Sequence, residues 1–163
     1  MPSYERPLLE ALYDGRLGAS EMHAVMSQYK DPERFETMLA IHQDRVPWTE
    51  TILLPLGEAL FIVAKPDGGR VSKCSCGHEF GDYRRNWKLS ALINVRASEE
   101  ALGEIYAGLT GPDPEWMELR EFFCPGCKRQ LEVEAVPPAY PIVADFEPDL
   151  EAFYRDWLGR PLP

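Results

Sequence analysis

The chain has 163 residues, with 17 lysines and arginines against 27 aspartates and glutamates, so its formal charge at pH 7 is −10. The length fits one domain, and a hydrophobic fraction of 45% is sufficient for a buried core, which excludes a disordered chain. Such acidity disfavours binding to nucleic acid or to anionic membranes, because both depend on clusters of lysine and arginine. We therefore expect no nucleic-acid partner and no membrane association.

The apolar segments of the chain are short. The longest of them, Ala59 to Ala64, is far below the roughly 20 residues that a membrane-spanning helix needs. The N-terminus lacks the basic and apolar regions of a secretory signal. We predict a cytoplasmic protein, and in that reducing compartment paired cysteines are more often metal ligands than disulfides.

Residues 1–46 are predicted to form a helical N-terminal arm. The spacing of leucines indicates a first helix over Ser3 to Asp14. Ser20 can cap a second helix, because its hydroxyl can accept a bond from a free N–H of the first turn. Asp31 as the N-cap and Pro32 at the first helical position then begin a third helix.

Residues 50–136 are predicted to form a β core. The segments Ala59 to Lys65 and Arg70 to Lys73 flank a Pro-Asp-Gly-Gly turn and predict a hairpin. Alternation of side chains over Leu89 to Arg96 predicts a half-buried strand, with Leu89, Ala91, Ile93 and Val95 on one face. The same period over Gln130 to Val136 predicts one arm of another hairpin. A short helix is expected to begin at Ser98 between these strands.

Residues 137–163 are rich in proline and end in a predicted helix over Asp149 to Leu158. The prolines favour an extended backbone, so this arm can either contact another protein or fold back on its own core. The predicted fold class is therefore α+β within a single domain, 1–163. It consists of a small zinc-ribbon-like antiparallel β core, N-terminal helices, an extended Pro-rich arm and a C-terminal helix.

The four cysteines occur as two close pairs, Cys74 with Cys76 and Cys124 with Cys127. Each pair lies at a predicted hairpin turn, and two such turns can supply the four ligands of a tetrahedral Zn²⁺ site. Gly77 and Gly126 stand where such a turn favours a relaxed backbone. The pattern predicts a closed structural zinc site on Cys74, Cys76, Cys124 and Cys127.

Other uses of these cysteines stay open. The spacing of Cys124 and Cys127 is that of a redox disulfide, although no βαβ pattern surrounds it. The thiols could also be buried without a metal, and His78 could replace one of them as a ligand.

No motif for catalysis or for a bound cofactor is evident in the sequence. His23 and His42 lie on predicted helices without a neighbouring nucleophile, and no glycine-rich phosphate loop is present. The basic and aromatic segment Asp82 to Lys88 is predicted to be a solvated loop or a contact with another subunit. We expect no catalytic residue in this chain.

Six blocks in order resemble the gamma subunit family of acetone carboxylase and its relative acetophenone carboxylase. The blocks are Lys30 to Phe35, Ile52 to Val63, Cys74 to Phe80, Asn86 to Ala91, Glu121 to Cys127 and Phe153 to Gly159. The resemblance is weakest in the first 30 residues and between Ala64 and Arg70.

The resemblance implies a non-catalytic, zinc-binding subunit of a biotin-independent ketone carboxylase. Large subunits that resemble hydantoinases are expected as partners in a hetero-oligomer. They would hold ATP and a divalent metal and would carboxylate acetone or acetophenone with bicarbonate. The family's zinc ligands correspond to Cys74, Cys76, Cys124 and Cys127. The alternative function is that of a free-standing zinc-ribbon binding or adaptor module.

Overall fold

The computed structural model describes residues 4–28, 32–106 and 108–163, and Asp31, the predicted cap of the third helix, lies outside them. Three helices come first: α1 (Arg6–Tyr13), α2 (Ala19–Ser27) and α3 (Pro32–Gln43). Throughout the described ranges, every helix is too short or too polar to cross a lipid bilayer.

The cap of α2 differs from the prediction. Gly18 is its N-cap, and the Glu21 carboxylate accepts a hydrogen bond from the Gly18 N–H at 3.2 Å. Ser20 lies inside the first turn instead. The predicted Ser20 cap is wrong because Glu21, three residues beyond Gly18, already satisfies the free N–H of the cap residue.

The first sheet has four antiparallel strands in the order β1-β2-β3-β4. They are β1 (Thr51–Pro55), β2 (Leu60–Ala64), β3 (Arg70–Cys74) and β4 (Glu79–Asp82). The predicted hairpin is confirmed, since Leu60 pairs with Cys74 and Ala64 pairs with Arg70. Four consecutive residues of β2 are buried, as expected for a strand that is covered on both faces.

The second sheet has three antiparallel strands in the order β5-β6-β7. They are β5 (Leu92–Arg96), β6 (Glu118–Phe123) and β7 (Gln130–Val136), and the helix α4 (Glu99–Gly103) lies between β5 and β6. The Ser98 hydroxyl caps α4 by accepting a bond from the Ala101 N–H at 3.2 Å, as predicted.

The predicted strand from Leu89 to Arg96 is only partly correct. Residues Trp87–Ser90 form a 3₁₀ helix, and the strand begins at Leu92. Neither face of the strand is buried as a half-buried strand requires, because Ile93 and Val95 on one face are 38% and 48% exposed and Leu92 on the other is 44% exposed. The alternation of residue types therefore predicts the strand correctly, but it does not predict which of its side chains the rest of the chain buries.

The C-terminal arm folds back on the chain. Asn86 Nδ2 donates to the Ile142 carbonyl at 3.2 Å, so the arm lies against the 3₁₀ helix. The last helix begins as α5 (Leu150–Ala152) and continues as a π-helix (Phe153–Trp157). The Tyr154 hydroxyl donates to the Leu53 carbonyl at 2.9 Å.

The fold class is confirmed: N-terminal helices, antiparallel sheets, a C-terminal helix and a cluster of four cysteines form an α+β structure. The division into a helical arm, a β core and a C-terminal arm within one domain remains a prediction.

Candidate metal centre

The structure brings the four cysteines together from the two sheets. Cys74 ends β3 and Cys76 follows in the turn to β4, whereas Cys124 and Cys127 lie in the turn between β6 and β7. Their sulfur atoms all lie within 4.8 Å of one another. Cys74 Sγ is 3.8 Å from Cys127 Sγ, and Cys76 Sγ is 3.7 Å from Cys124 Sγ.

These distances match a tetrahedral thiolate site. Four sulfurs placed about 2.3 Å from one tetrahedral centre lie about 3.8 Å from each other. A disulfide requires sulfur atoms about 2.05 Å apart, and all four cysteines are free. The arrangement therefore fits a bound metal ion better than a redox pair within either turn.

The two turns share one backbone pattern. In the first, the Cys74 N–H donates to the His78 carbonyl and the Gly77 N–H donates to the Cys74 carbonyl, both at 2.8 Å. In the second, the Cys124 N–H donates to the Arg129 carbonyl and the Lys128 N–H donates to the Cys124 carbonyl, both at 2.9 Å. Each turn thus fixes two sulfurs on a hydrogen-bonded loop.

The glycines of the two turns have different roles. Gly77 has a φ of +101°, in the left-handed region that glycine favours, as the sequence suggested. In the second turn the left-handed residue is Lys128, with a φ of +62°, and not Gly126. Gly126 is needed for space, because a Cβ there would lie 3.0 Å from the His78 Cβ and 3.4 Å from Cys76 Sγ.

Burial sets the protonation of the thiols. Burial raises the pKa of Cys74 to about 12, and it also raises the pKa of Cys76. Burial opposes ionisation of Cys127 too, but the Arg129 N–H and the neighbouring thiols outweigh it, so the pKa of Cys127 is lowered. A metal ion that binds here must displace protons, and its positive charge would offset the cost of burying thiolates.

The sulfur cluster has a buried side and an open side. Cys74 and Cys124 are completely buried, whereas Cys76 and Cys127 are exposed. His78 stacks edge-on against Phe80 with ring centroids 5.0 Å apart.

A buried lysine is the main polar feature that sequence reasoning missed. Lys88 is 0% exposed, and its Nζ contacts Glu132 at 2.6 Å, Glu134 at 3.2 Å and Asp145 at 2.7 Å. These three carboxylates form a group that could hold a metal ion, but the ammonium of Lys88 contacts all three of them. The cluster is therefore an ion-pair network in which a buried lysine and three partly exposed carboxylates join β7 to the C-terminal arm.

The charges within this network stabilise one another. Burial alone lowers the pKa of Lys88, but its bonds to Asp145 and Glu132 outweigh burial, so that pKa is raised. Burial raises the pKa of Glu132. The alternation of residue types in β7 is the sequence signal for this network. The glutamates of β7 lie on its covered face, whereas Val133 on the other face is 47% exposed.

The predicted basic segment Asp82 to Lys88 is not a free basic patch. Arg84 pairs with Asp82 at 2.6 Å, and Lys88 is the buried lysine described above. The two helical histidines also differ from each other. His23 is exposed on α2, whereas His42 is buried between the rings of Tyr13 and Phe61.

Comparison with known proteins identifies relatives over nearly the whole chain. A family profile described as "Acetone carboxylase gamma subunit" matches residues 46–158. The acetone carboxylase gamma subunit of Xanthobacter autotrophicus is 46% identical over 166 aligned residues, which cover 99% of this chain and 96% of that protein. The acetophenone carboxylase beta subunit of Aromatoleum aromaticum is 35% identical over 79 residues, or 47% of this chain and 61% of that protein.

Proposed function

Since this chain belongs to the acetone carboxylase gamma subunit family, we propose that it is the zinc-binding, non-catalytic subunit of an ATP-dependent ketone carboxylase. The enzyme would carboxylate acetone or acetophenone with bicarbonate. The observation that carries the role of this chain is the group of four cysteine sulfurs within 4.8 Å of one another.

Four thiolates favour a structural zinc. Zn²⁺ in structural sites is tetrahedral and often bound by four cysteines, whereas catalytic zinc keeps one position for water or substrate. A metal held by Cys74, Cys76, Cys124 and Cys127 has no such position. It could neither polarise a ketone nor activate water, and the chemistry would belong to other subunits.

The metal would connect the two sheets of this chain. One pair of cysteines extends from the first sheet and the other pair from the second. Around them lies an apolar cluster that contains Leu60, Cys74, Phe80 and Cys124. Structural zinc binding contributes on the order of 10 kcal/mol, similar to the stability of a whole domain. Its loss would separate the sheets.

Membership of the family implies assembly with other subunits, since the relatives are named as subunits of carboxylases. We propose large hydantoinase-like subunits as the partners, with ATP and a divalent metal bound there. The gamma subunit would then contribute a rigid, metal-linked surface to the complex. If the chain were instead a free-standing zinc-ribbon adaptor, no such complex would form.

The decisive variant is Cys124→Ser, tested in the chain co-expressed with large carboxylase subunits. We expect this variant to lose zinc and to lose co-purification with those subunits together. Ser75→Ala, in the other turn but without a sulfur, is the matched control and should keep both. Metal content per chain and retention of the tagged chain are the readouts. A zinc-free Cys124→Ser complex that carboxylates at the wild-type rate would overturn the proposal.

A further inference from the structure

A groove with acidic walls is formed by α4 and the loop that follows it, in the segment that connects β5 to β6. It has a volume of about 610 Å³. Its apolar walls include Leu109, Pro112 and Pro114, and its carboxylates are those of Glu99, Asp113 and Glu115. None of the residues that line the groove belongs to the metal centre or to the ion-pair network.

The charge of this segment has one sign only. Residues 97–117 contain five acidic residues, Glu99, Glu100, Glu104, Asp113 and Glu115, and no lysine or arginine. Glu104 pairs with Arg96 at 2.6 Å. Glu99, Asp113 and Glu115 have no ion-pair partner in the part of the chain that the structure describes. The groove therefore presents uncompensated negative charge.

Two large apolar side chains of this segment are exposed: Leu109 lines the groove, and Trp116 directly follows the lining residue Glu115 in the chain. Leu109 is 76% exposed and Trp116 is 78% exposed, the two highest values among the large apolar residues of the described chain. The turn that carries Trp116 is ordered, because the Glu115 N–H donates to Asp113 Oδ1 at 2.9 Å and the Trp116 N–H donates to the Asp113 carbonyl at 3.0 Å. Tryptophan is enriched among the residues that dominate protein interfaces.

The edge strand β5 of the second sheet has exposed apolar side chains too. β5 ends at Arg96, whose Nη1 donates to the Ala101 carbonyl at 3.0 Å and so joins the strand to α4 beside the groove. Ile93 and Val95 of that strand are exposed as well. Exposed apolar patches rimmed by charge are typical of protein–protein contacts.

We propose that this groove is the docking site for a lysine- or arginine-rich segment of another carboxylase subunit, with Leu109 and Trp116 as its apolar anchors. The inference rests on the proposed function, because it takes the partner from the carboxylase complex. Complementary charge identifies that partner: a basic segment satisfies the carboxylates, whereas a second copy of this chain would bring its own charge of −10.

The test uses the full chain and the purified large subunits, with affinity measured at two salt concentrations. We expect the double variant Leu109→Ala with Trp116→Ala to bind at least tenfold more weakly than wild type. Met26→Ala, an exposed apolar residue on α2 outside the matched profile, is the control and should bind like wild type.

A second variant isolates the charge. Glu99→Gln, Asp113→Asn and Glu115→Gln together should weaken binding at low salt and flatten its dependence on salt. The matched control neutralises Glu33, Glu58 and Glu147, three exposed glutamates elsewhere, and should keep the wild-type salt dependence. Unchanged zinc content and thermal midpoint in all variants show that folding is intact.

The outcomes separate this proposal from the preceding one. If wild type binds the large subunits and both groove variants bind equally well, the docking site is wrong and the subunit role stands. If wild type does not bind them at all, the proposed function itself fails. Self-association of the wild-type chain that the groove variants abolish would make the occupant a second copy and overturn the proposal.

Discussion

The two sheets bury their apolar residues to different extents. In the first sheet, Phe61, Ile62 and Val63 of β2 are no more than 1% exposed, because helices and the C-terminal segment pack on the sheet. In the second sheet, the central strand β6 is also buried, with Phe122 at 0%, but Ile93 and Val95 of the edge strand β5 are 38% and 48% exposed. The first sheet is covered by this chain, and the second leaves apolar surface exposed on its edge strand.

The second sheet combines apolar and polar contacts on its covered face, where Phe122 is fully buried and packs against the Trp87 ring. Lys88 lies between β7 and the C-terminal arm, and Arg120 of β6 donates to the Tyr140 carbonyl at 2.5 Å. Burial of charge is favourable only when every charge is paired. A sheet built in this way should respond strongly to loss of one charge and weakly to loss of an exposed methyl group.

The largest effect is expected from Lys88→Met. The variant keeps the side-chain length but leaves Glu132, Glu134 and Asp145 as neighbouring carboxylates without their cation. Removal of one partner from a fully buried ion pair costs about 3–5 kcal/mol, and we expect a loss towards the lower end of this range because water reaches the three carboxylates in part. Urea unfolding of the zinc-loaded chain measures the change in the free energy of unfolding.

A control variant and a rescue variant show whether the loss of stability comes from the unpaired carboxylates. Arg84→Met breaks the exposed pair with Asp82 and the contact of the guanidinium with the Tyr83 ring, and it should leave stability nearly unchanged because both contacts are exposed to solvent. Addition of Glu132→Gln and Asp145→Asn to Lys88→Met should restore much of the loss, because the repulsion disappears. A stable Lys88→Met chain would show that this network does not hold the arm.

The direct comparison of the sheets is Ile62→Ala against Ile93→Ala. Ile62 is completely buried in the first sheet, so its truncation should cost about 2–5 kcal/mol. Ile93 is exposed in the second sheet, and its truncation should change the stability of the isolated chain by less than about 1 kcal/mol. Equal losses in urea unfolding would remove the distinction between the two sheets.

The smallest expected effect is the contribution of His42, which packs on the first sheet, to the pH dependence of the free energy of unfolding. Burial and the nearby Arg45 charge lower the pKa of His42, so the folded chain binds this proton less readily than the unfolded chain. The stabilisation is present above the ordinary histidine pKa and is lost as pH falls towards the lowered value. Its slope is at most about 1.4 kcal/mol per pH unit.

His42→Phe should reduce this loss of stability between pH 7 and pH 5, because the ring contacts with Tyr13 and Phe61 remain while the titration is removed. His23→Phe on the exposed face of α2 is the control. Thermal midpoints across the pH series are the measurement. Parallel pH profiles for wild type and His42→Phe would contradict the assignment.

The cysteine pairs and the β2–β3 hairpin could be predicted because their signals are local. A turn with two cysteines fixes both sulfurs by its own backbone, and a Pro-Asp-Gly-Gly turn fixes the pairing of its flanking strands. The proximity of Cys74 to Cys124, by contrast, depends on how the two sheets pack. We predict it only because a tetrahedral zinc site needs four ligands and each turn supplies two.

Burial at single positions could not be predicted from residue type. Lys88 stands in a basic segment and resembles a surface residue, yet it is covered because three carboxylates distant in sequence converge on it. Ile93 and Val95 resemble core residues of a half-buried strand, yet no segment of the described chain covers them fully. The sequence predicts that Gly126 is needed for a relaxed backbone, whereas in the structure a glycine is needed there because a side chain would collide with His78.

In the proposed structure, one zinc ion held only by thiolates joins the two sheets. X-ray absorption at the zinc edge of the purified carboxylase complex measures this coordination. We expect four sulfur neighbours at about 2.3 Å and no oxygen or nitrogen neighbour. A spectrum with a water or histidine ligand at this chain's zinc, or a fully assembled complex whose gamma subunit holds no metal, would contradict it.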